Sequence, residues 1–367
     1  MDDKVVYIDH EMLESFMRDV FIGLGVPEED ASIIADVLIT SDLRGIDTHG
    51  IQRCKMYYDR IKAGIYEVKT KIDIIKDGPV TALWDGNNGM GHVIAYKAMK
   101  AAIEKAKKYG LGAVAVRNST HFGIAGYYSL MAIKEGMIGL VTTNARPSIP
   151  PTFGVEPMLG TNPLIFGAPT DEEFPFLIDC ATSIIQRGKV ELYNRINKSL
   201  PKNTVINDKG EFITNPGEIL EEMLKRRAAL LPLGGKGEET AGYKGYGYAT
   251  VVELLSAALQ EGIYLRDTLG IKENGQKRLK VGHFFLAINV EFFAGLESFK
   301  KTAGDIMRGL RSAKKEPGAE RIYTAGEKEY LAEKERREKG IPLNESLQND
   351  IKIMQKELGL EKYNFPF

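Results

Sequence analysis

Apolar positions along the first 63 residues recur at helical spacing. Leu13, Phe16, Met17 and Val20 share one face of a helix that Asp9 can cap. Gly25-Val26-Pro27 ends that helix. Glu28, Glu29 and Asp30 open a second one, at the end where the helix dipole favours acids, with Ile33, Ile34, Val37 and Leu38 as its apolar positions. A third helix is predicted from Ile51 to Ala63. Near Lys71 the period shortens to that of strands. Residues 71–75 and 80–85 read as strands, followed by a glycine-rich turn over 86–91, a helix over 92–109 and a stop at Gly110. A strand over 113–116, a helix over 125–135 ended by Gly136, and strands over 138–143, 163–168 and 175–180 continue the alternation, which predicts an α/β domain. The stretch 190–230 is more polar. It predicts a hairpin of Val205-Ile206 against Phe212-Ile213 and a helix over 216–229. A long helix over 246–262 and a strand over 281–288 follow, and then the chain returns to helix. Ten of the 13 residues Glu327–Lys339 are charged, five of each sign, which predicts a solvated helix.

The expected organisation is therefore a helical domain of residues 1–72, with residues 295–367 packing back on it. An α/β domain of residues 73–294 carries an inserted segment near 190–230. Composition narrows the function without naming it. The 367 residues hold 49 basic and 50 acidic side chains, so nothing calls for a nucleic-acid or anionic-membrane partner. No apolar run reaches the roughly 18 residues that span a bilayer. The polar start Met1-Asp2-Asp3-Lys4 argues against a secretory signal. Two cysteines, Cys54 and Cys180, exclude a disulfide scaffold and suit a cytoplasmic compartment. The five histidines form no metal-ligand motif, so no metal is expected.

Candidate chemistry gathers in a few segments. Residues 110–115 match G-x-G-x-x-A, but they precede a strand instead of following one into a helix. A Rossmann nucleotide site is therefore not supported. Residues 42–53 (DLRGIDTHGIQR) sit at a break between helices. There Thr48 and His49 can form a hydroxyl–imidazole pair, and Arg53 can clamp a carboxylate while a histidine moves a hydroxyl proton. The alternative is simple helix–loop packing with Asp47 and Thr48 as caps. Residues 117–126 follow a strand and open a helix, a place where backbone amides hold anions; His121 is either a proton donor or a cap. Six of the 14 residues 234–247 are glycine, with Lys244 among them, which reads as a loop that admits a phosphate or as a plain surface loop. Asp179-Cys180-Ala181-Thr182-Ser183 ends a strand. Cys180 has no local base beside it and reads as a packed small residue.

Five segments in order resemble the type-2 malate/L-lactate dehydrogenase family, which also holds sulfolactate, ureidoglycolate and cyclic-imine oxidoreductases. They are DLRGIDTHG (42–50), NSTHFGIAG (118–126), LGTNP (159–163), DCATS (179–183) and GYKGYG (242–247). The resemblance implies a non-Rossmann, mixed-sheet cofactor domain and a homodimer. It implies hydride transfer between NAD or NADP, with NAD placed first, and a 2-keto or 2-hydroxy acid, malate or L-lactate ahead of the other substrates. By the same resemblance Thr48 and His49 are a catalytic pair, and His121 is a second acid–base candidate. Arg53 and Thr161 contact substrate. His121, Phe122, Gly123, Ile124, Ala125, Asp179, Cys180, Ala181, Arg187, Gly188, Tyr243, Lys244, Gly326 and Glu327 contact cofactor. Three departures stand out. Thr48 replaces the Ser of many relatives. Lys189 stands where the imine reductases carry an aspartate. Residues 234–241 form a longer stretch than theirs. The last two favour the malate/lactate branch.

Overall fold

A computed structural model describes residues 5–367. Seven strands form the central sheet. In spatial order they are Asp73–Asp77, Thr81–Asp85, Leu111–Ser119, Val281–Asn289, Met137–Thr143, Leu164–Ala168 and Phe176–Cys180. Only Thr81–Asp85 and Leu111–Ser119 run parallel; every other neighbouring pair is antiparallel. The sheet is thus mixed, and the order excludes a doubly wound Rossmann arrangement, as the sequence leads one to expect.

Helices Gly91–Tyr109 and Gly126–Lys134 cover one face of the sheet. Their apolar positions Ile94, Ala98, Met99, Ala102 and Tyr128 close over Val114, Val116, Val141, Ile165 and Phe285. A second apolar cluster joins the chain ends. Leu13, Phe16, Met17, Val20, Ile34 and Leu38 pack with Tyr57, Ile351 and Met354. The strand Val6–Ile8 pairs with Ile341–Leu343. Asp9 caps the first helix through Met12 N at 2.9 Å, as its position predicts.

Several elements depart from the sequence reading. The helix Leu296–Arg311 does not join the terminal cluster; its Arg308 and Arg311 grip Asp171 and Glu172 beside the sheet. The charged helix Glu327–Lys339 is not merely solvated. It lies on the helix Glu28–Leu43, with Arg336 paired to Asp47 and Arg44 placed 3.6 Å from Glu333. The expected hairpin forms as a short one, with Asn207 N donating to Glu211 O at 3.0 Å and Ile213 N to Val205 O at 3.2 Å, but the longer partner of Val205–Asn207 is Ala228–Leu230, which the sequence did not mark. The reason is burial: Val205, Ala228 and Leu230 close a small core with Ile185, Val190 and Ile219. The helix before it stops at Leu224. The long helix spans Gly242–Ser256, four residues earlier than expected. Gly242 and Gly245 are what permit this start, since a Cβ on either would stand 1.9 Å from Gly235 O or 2.2 Å from Leu233 O. The first helical turn therefore rests directly on backbone. No helix among the described residues is long and apolar enough to cross a membrane.

Candidate active site

Two segments from opposite parts of the chain meet at the site. The first is the loop 44–50 and the helix Ile51–Lys62 behind it. Buried Asp42 reaches across the loop and accepts from Ile51 N at 2.8 Å, capping the helix from a distance. Gly50 is required there, because a Cβ would fall 2.0 Å from Asp42 Oδ1. Ser41 Oγ donates to Ile46 O at 2.8 Å, and Arg336 ties Asp47 and Asp42 O to the C-terminal helix. The capping work expected of Asp47 and Thr48 thus falls to Asp42, which leaves the Thr48 hydroxyl free. Thr48 Oγ1 lies 2.8 Å from His49 Nδ1.

The second segment is 119–125, between the strand Leu111–Ser119 and the helix Gly126–Lys134. Thr120 Oγ1 accepts from Gly91 N and donates to Gly89 O, both at 2.9 Å. Tyr128 OH donates to Phe122 O at 2.5 Å. The Phe122 ring stacks on His283 at 4.3 Å. Both His283 nitrogens are spent, on Thr143 Oγ1 at 2.8 Å and Ser119 Oγ at 2.7 Å. His283 is therefore the floor of this loop.

These two loops bring His49 and His121 together, with ring centroids 5.8 Å apart. Tyr57 OH lies 2.5 Å from His121 Nδ1, and the Tyr57 ring meets the edge of buried His92 at 4.7 Å. Burial and then Arg53 push His49 down to about 4. Burial, then His49 and Arg53, hold His121 well below the usual histidine range. Both rings are neutral at pH 7. Arg53, Arg60 and Arg187 lie near enough to Arg146 to act on its charge, and Arg53 and Arg60 likewise on His121, so the four arginines gather around the histidine pair. Burial, then the positive field of Arg60 and Arg187, lowers the Arg146 guanidinium from its ordinary value. Arg187 pairs with Glu191 at 2.9 Å. Arg60 donates to Tyr66 OH. Among the described residues no carboxylate pairs with Arg53, Arg60 or Arg146.

Of the residues singled out in the sequence, Thr48, His49, Arg53 and His121 converge here. Gly188 joins them, since a Cβ on it would stand 3.0 Å from Thr48 Cγ2. Phe122, Gly123, Ile124 and Ala125 form the loop that carries His121. Asp179 Oδ2 accepts from Gly126 N at 2.7 Å, and burial pushes Asp179 up to about 6. Burial also raises the Cys180 thiol, which suits the packed reading over a nucleophile. Ala181 is buried beside it. Thr161 offers its backbone carbonyl to Thr182, N–H at 2.9 Å and Oγ1 at 3.0 Å. Tyr243 and Lys244 lie exposed in the first turn of their helix, and no hydrogen bond or ion pair links them to the histidines. Glu327 is 3% exposed. Its carboxylate is engaged by Arg321 and lies 3.8 Å from Arg311, and Gly326 precedes it against Pro175 O. Lys189 is exposed, with its Nζ 5.7 Å from the Tyr193 ring.

Sequence reasoning passed over Tyr57, Arg60 and Tyr66. The signal was present: Arg53, Tyr57 and Arg60 fall at i, i+4 and i+7 on one helix face.

A model of the malate/L-lactate dehydrogenase family matches residues 8–352. The malate dehydrogenase of Pyrococcus abyssi is 45% identical over 361 residues, 98% of this chain and 97% of that one. The L-sulfolactate dehydrogenase of Methanocaldococcus jannaschii is 39% identical over 344 residues, 93% of this chain and 94% of its own. The crystal structure of malate dehydrogenase from Entamoeba histolytica superposes with a TM-score of 0.95 at 46% identity, covering 99% of this chain and 100% of that one. The molecule is an oxidoreductase of the dehydrogenase type. It belongs to the malate/L-lactate dehydrogenase family.

Membership implies a nicotinamide cofactor, and the residues present suit one. At the start of the helix Gly126–Lys134 the Gly126 amide is already taken by Asp179 Oδ2, and Gly123 is covered by Val37 and His92, so the fit rests on the small residues that let backbone and ligand approach and not on a free helix terminus.

The histidines also set the acid limit of the fold. His92 and His283 are pushed down to about 3 by burial, His49 to about 4, and His121 lower than usual. Below about pH 6.5 the unfolded chain takes up four protons that the folded chain refuses. Asp179 and Asp42, both raised by burial, oppose this by binding two protons that the unfolded chain releases. Glu14, Asp30 and Asp350, also raised by burial, reduce the difference further. Stability is expected to decline as the pH falls below about 6.5, by at most about 2–3 kcal/mol per unit, the slope of two protons. Urea midpoints across this range check it; a constant midpoint down to pH 4.5 contradicts it.

Proposed function

We propose that the chain catalyses the reversible oxidation of malate to oxaloacetate with a nicotinamide cofactor, NAD ahead of NADP. The carrying observation is the set of cleft arginines. Three of the four meet no carboxylate, beside two histidines that add no charge. One guanidinium satisfies the carboxylate next to the reacting carbon. The remaining unpaired cations favour a second anionic group on the substrate, which malate has and lactate lacks. The names of the relatives support this reading. Sulfolactate carries the same two charges and is the second reading, since a relative bearing that name is 39% identical.

When bound, the cofactor supplies or accepts the hydride at substrate C2. The chain does the rest. Arg53 holds the C1 carboxylate and fixes the face that C2 presents. His49 takes the hydroxyl proton in oxidation and returns it in reduction. Its Nδ1 faces a hydroxyl that can donate or accept, so the ring can gain and lose a proton without breaking that bond. Following nicotinamide absorbance with oxaloacetate, sulfopyruvate and pyruvate in turn tests the proposal, and running each with NADH and NADPH tests cofactor choice.

Three finer readings go with it. We describe residues 1–72 as the helical domain and 73–294 as the cofactor and substrate domain. A homodimer is supported by Tyr248, Val251, Leu254 and Leu259, exposed apolar residues at helical spacing along and just past one helix. Cys54 and Cys180 are free thiols, which suits the cytoplasm.

A further inference from the structure

The two histidines stand in the same cleft, yet their Nδ1 partners differ in kind. His49 Nδ1 faces Thr48 Oγ1, which can accept as well as donate. His121 Nδ1 faces Gly123 N at 3.4 Å, and a backbone N–H can only donate. It also faces Tyr57 OH at 2.5 Å. With Gly123 N–H aimed at it, Nδ1 is the acceptor, so the proton shared with Tyr57 belongs to the phenol and is directed at His121. We propose that Tyr57, together with the Gly123 amide, is a positioning residue that locks His121 as the neutral Nε2–H tautomer, so that His121 serves the reaction as a fixed hydrogen-bond donor while His49 alone moves the proton.

Three features hold the lock in place. Burial raises the Tyr57 phenol far above its ordinary value, so it keeps the proton it donates. The Tyr57 ring is wedged against His92, which is fully buried, and Gly123 backs onto His92 and Val37. His121 Nε2 has no protein partner among the described residues, which leaves its N–H for a ligand. Arg53, Arg60, His49 and His92 all face the His121 ring, and among the described residues no carboxylate pairs with it. A charged His121 therefore has no support from any side.

The chemistry balances with one proton acceptor. In oxidation the substrate O–H bond breaks and its proton passes to His49 Nε2. The hydride leaves C2 for the cofactor and the C2–O double bond forms. His121 Nε2–H donates to that same oxygen throughout and is unchanged at the end. This assignment rests on the proposed oxidation of a 2-hydroxy acid in this cleft.

The test is the nitrogen spectrum of the histidine-labelled whole protein, assigned with His121→Gln. His121 is expected to show a bare Nδ1 and a protonated Nε2, unchanged from about pH 5.5 to 8.5. Tyr57→Phe is expected to mix the two tautomers and to lower kcat about tenfold with KM nearly unchanged. His121→Gln, which keeps an N–H donor, is expected to retain far more activity than His49→Gln. A protonated Nδ1 on His121, or titration of its ring within that pH range, overturns the proposal. So does a Tyr57→Phe protein with both tautomer and kcat unaltered. If no keto acid on the panel turns over, the substrate reading falls, and the spectrum of the unmodified protein still decides the tautomer.

Discussion

His49→Gln is expected to lower kcat about 10²–10⁴-fold in both directions, the range that a positioned general acid–base supplies. Gln keeps a polar side chain of similar reach but cannot take a proton. The loss should fall on kcat, with KM for oxaloacetate changing little, because His49 is neutral in the free enzyme and contributes no charge to binding. The direction of the pH effect follows from the same neutrality. His49 sits at about 4 in the free protein, so kcat/KM for hydroxy-acid oxidation should be flat from about pH 5.5 upwards and decline only toward pH 4. Steady-state kinetics of the variant and a pH profile of the parent check both statements. A variant within threefold of the parent removes His49 from proton transfer.

Arg53→Leu is expected to lose roughly two to three orders of magnitude in kcat/KM, most of it in KM. Removing one partner of a desolvated, hydrogen-bonded charge pair costs about 2–5 kcal/mol. Arg53 suits the clamp because its Nε is buried and has no hydrogen-bond partner, a donor left waiting in the cleft. Arg53→Lys should recover only part of the loss, since an ammonium cannot make the paired contact of a guanidinium. Near-parental kinetics for Arg53→Leu would assign the carboxylate to another arginine, with Arg60 and Arg146 the nearest in kind.

Much of this was legible in the chain. The Asp9 cap, the acidic opening at Glu28 and the Gly110 stop are local signals, and each stands where the pattern put it. The Thr48–His49 pair and the 118–126 turn were legible for the same reason, since each is a short loop between regular elements. What escaped was tertiary. Val281–Asn289 lies in the middle of the sheet, between two strands that are close neighbours in sequence, and nothing in its own residues encodes that placement. The charges of Glu327–Lys339 looked like a wetted surface. Arg336 is instead spent on the loop that carries His49, and a charge pattern alone does not separate solvated from paired. Gly242 and Gly245 looked like loop flexibility but serve close contact, a distinction that only the approaching backbone makes. Tyr57 was passed over because nothing in its own helix marks its hydroxyl; only the arrival of His121 from 64 residues away gives that hydroxyl a task.

The central claim is that this cleft is built for a dianionic 2-keto acid. The most direct measurement is kcat/KM for oxaloacetate against pyruvate with NADH, at one pH near 7 and one salt concentration. The account predicts oxaloacetate to be preferred by at least about 30-fold, the value of one additional charged contact of about 2 kcal/mol. Equal rates, or a preference for pyruvate, would mean that the unpaired arginines do not face the substrate, and would contradict the account.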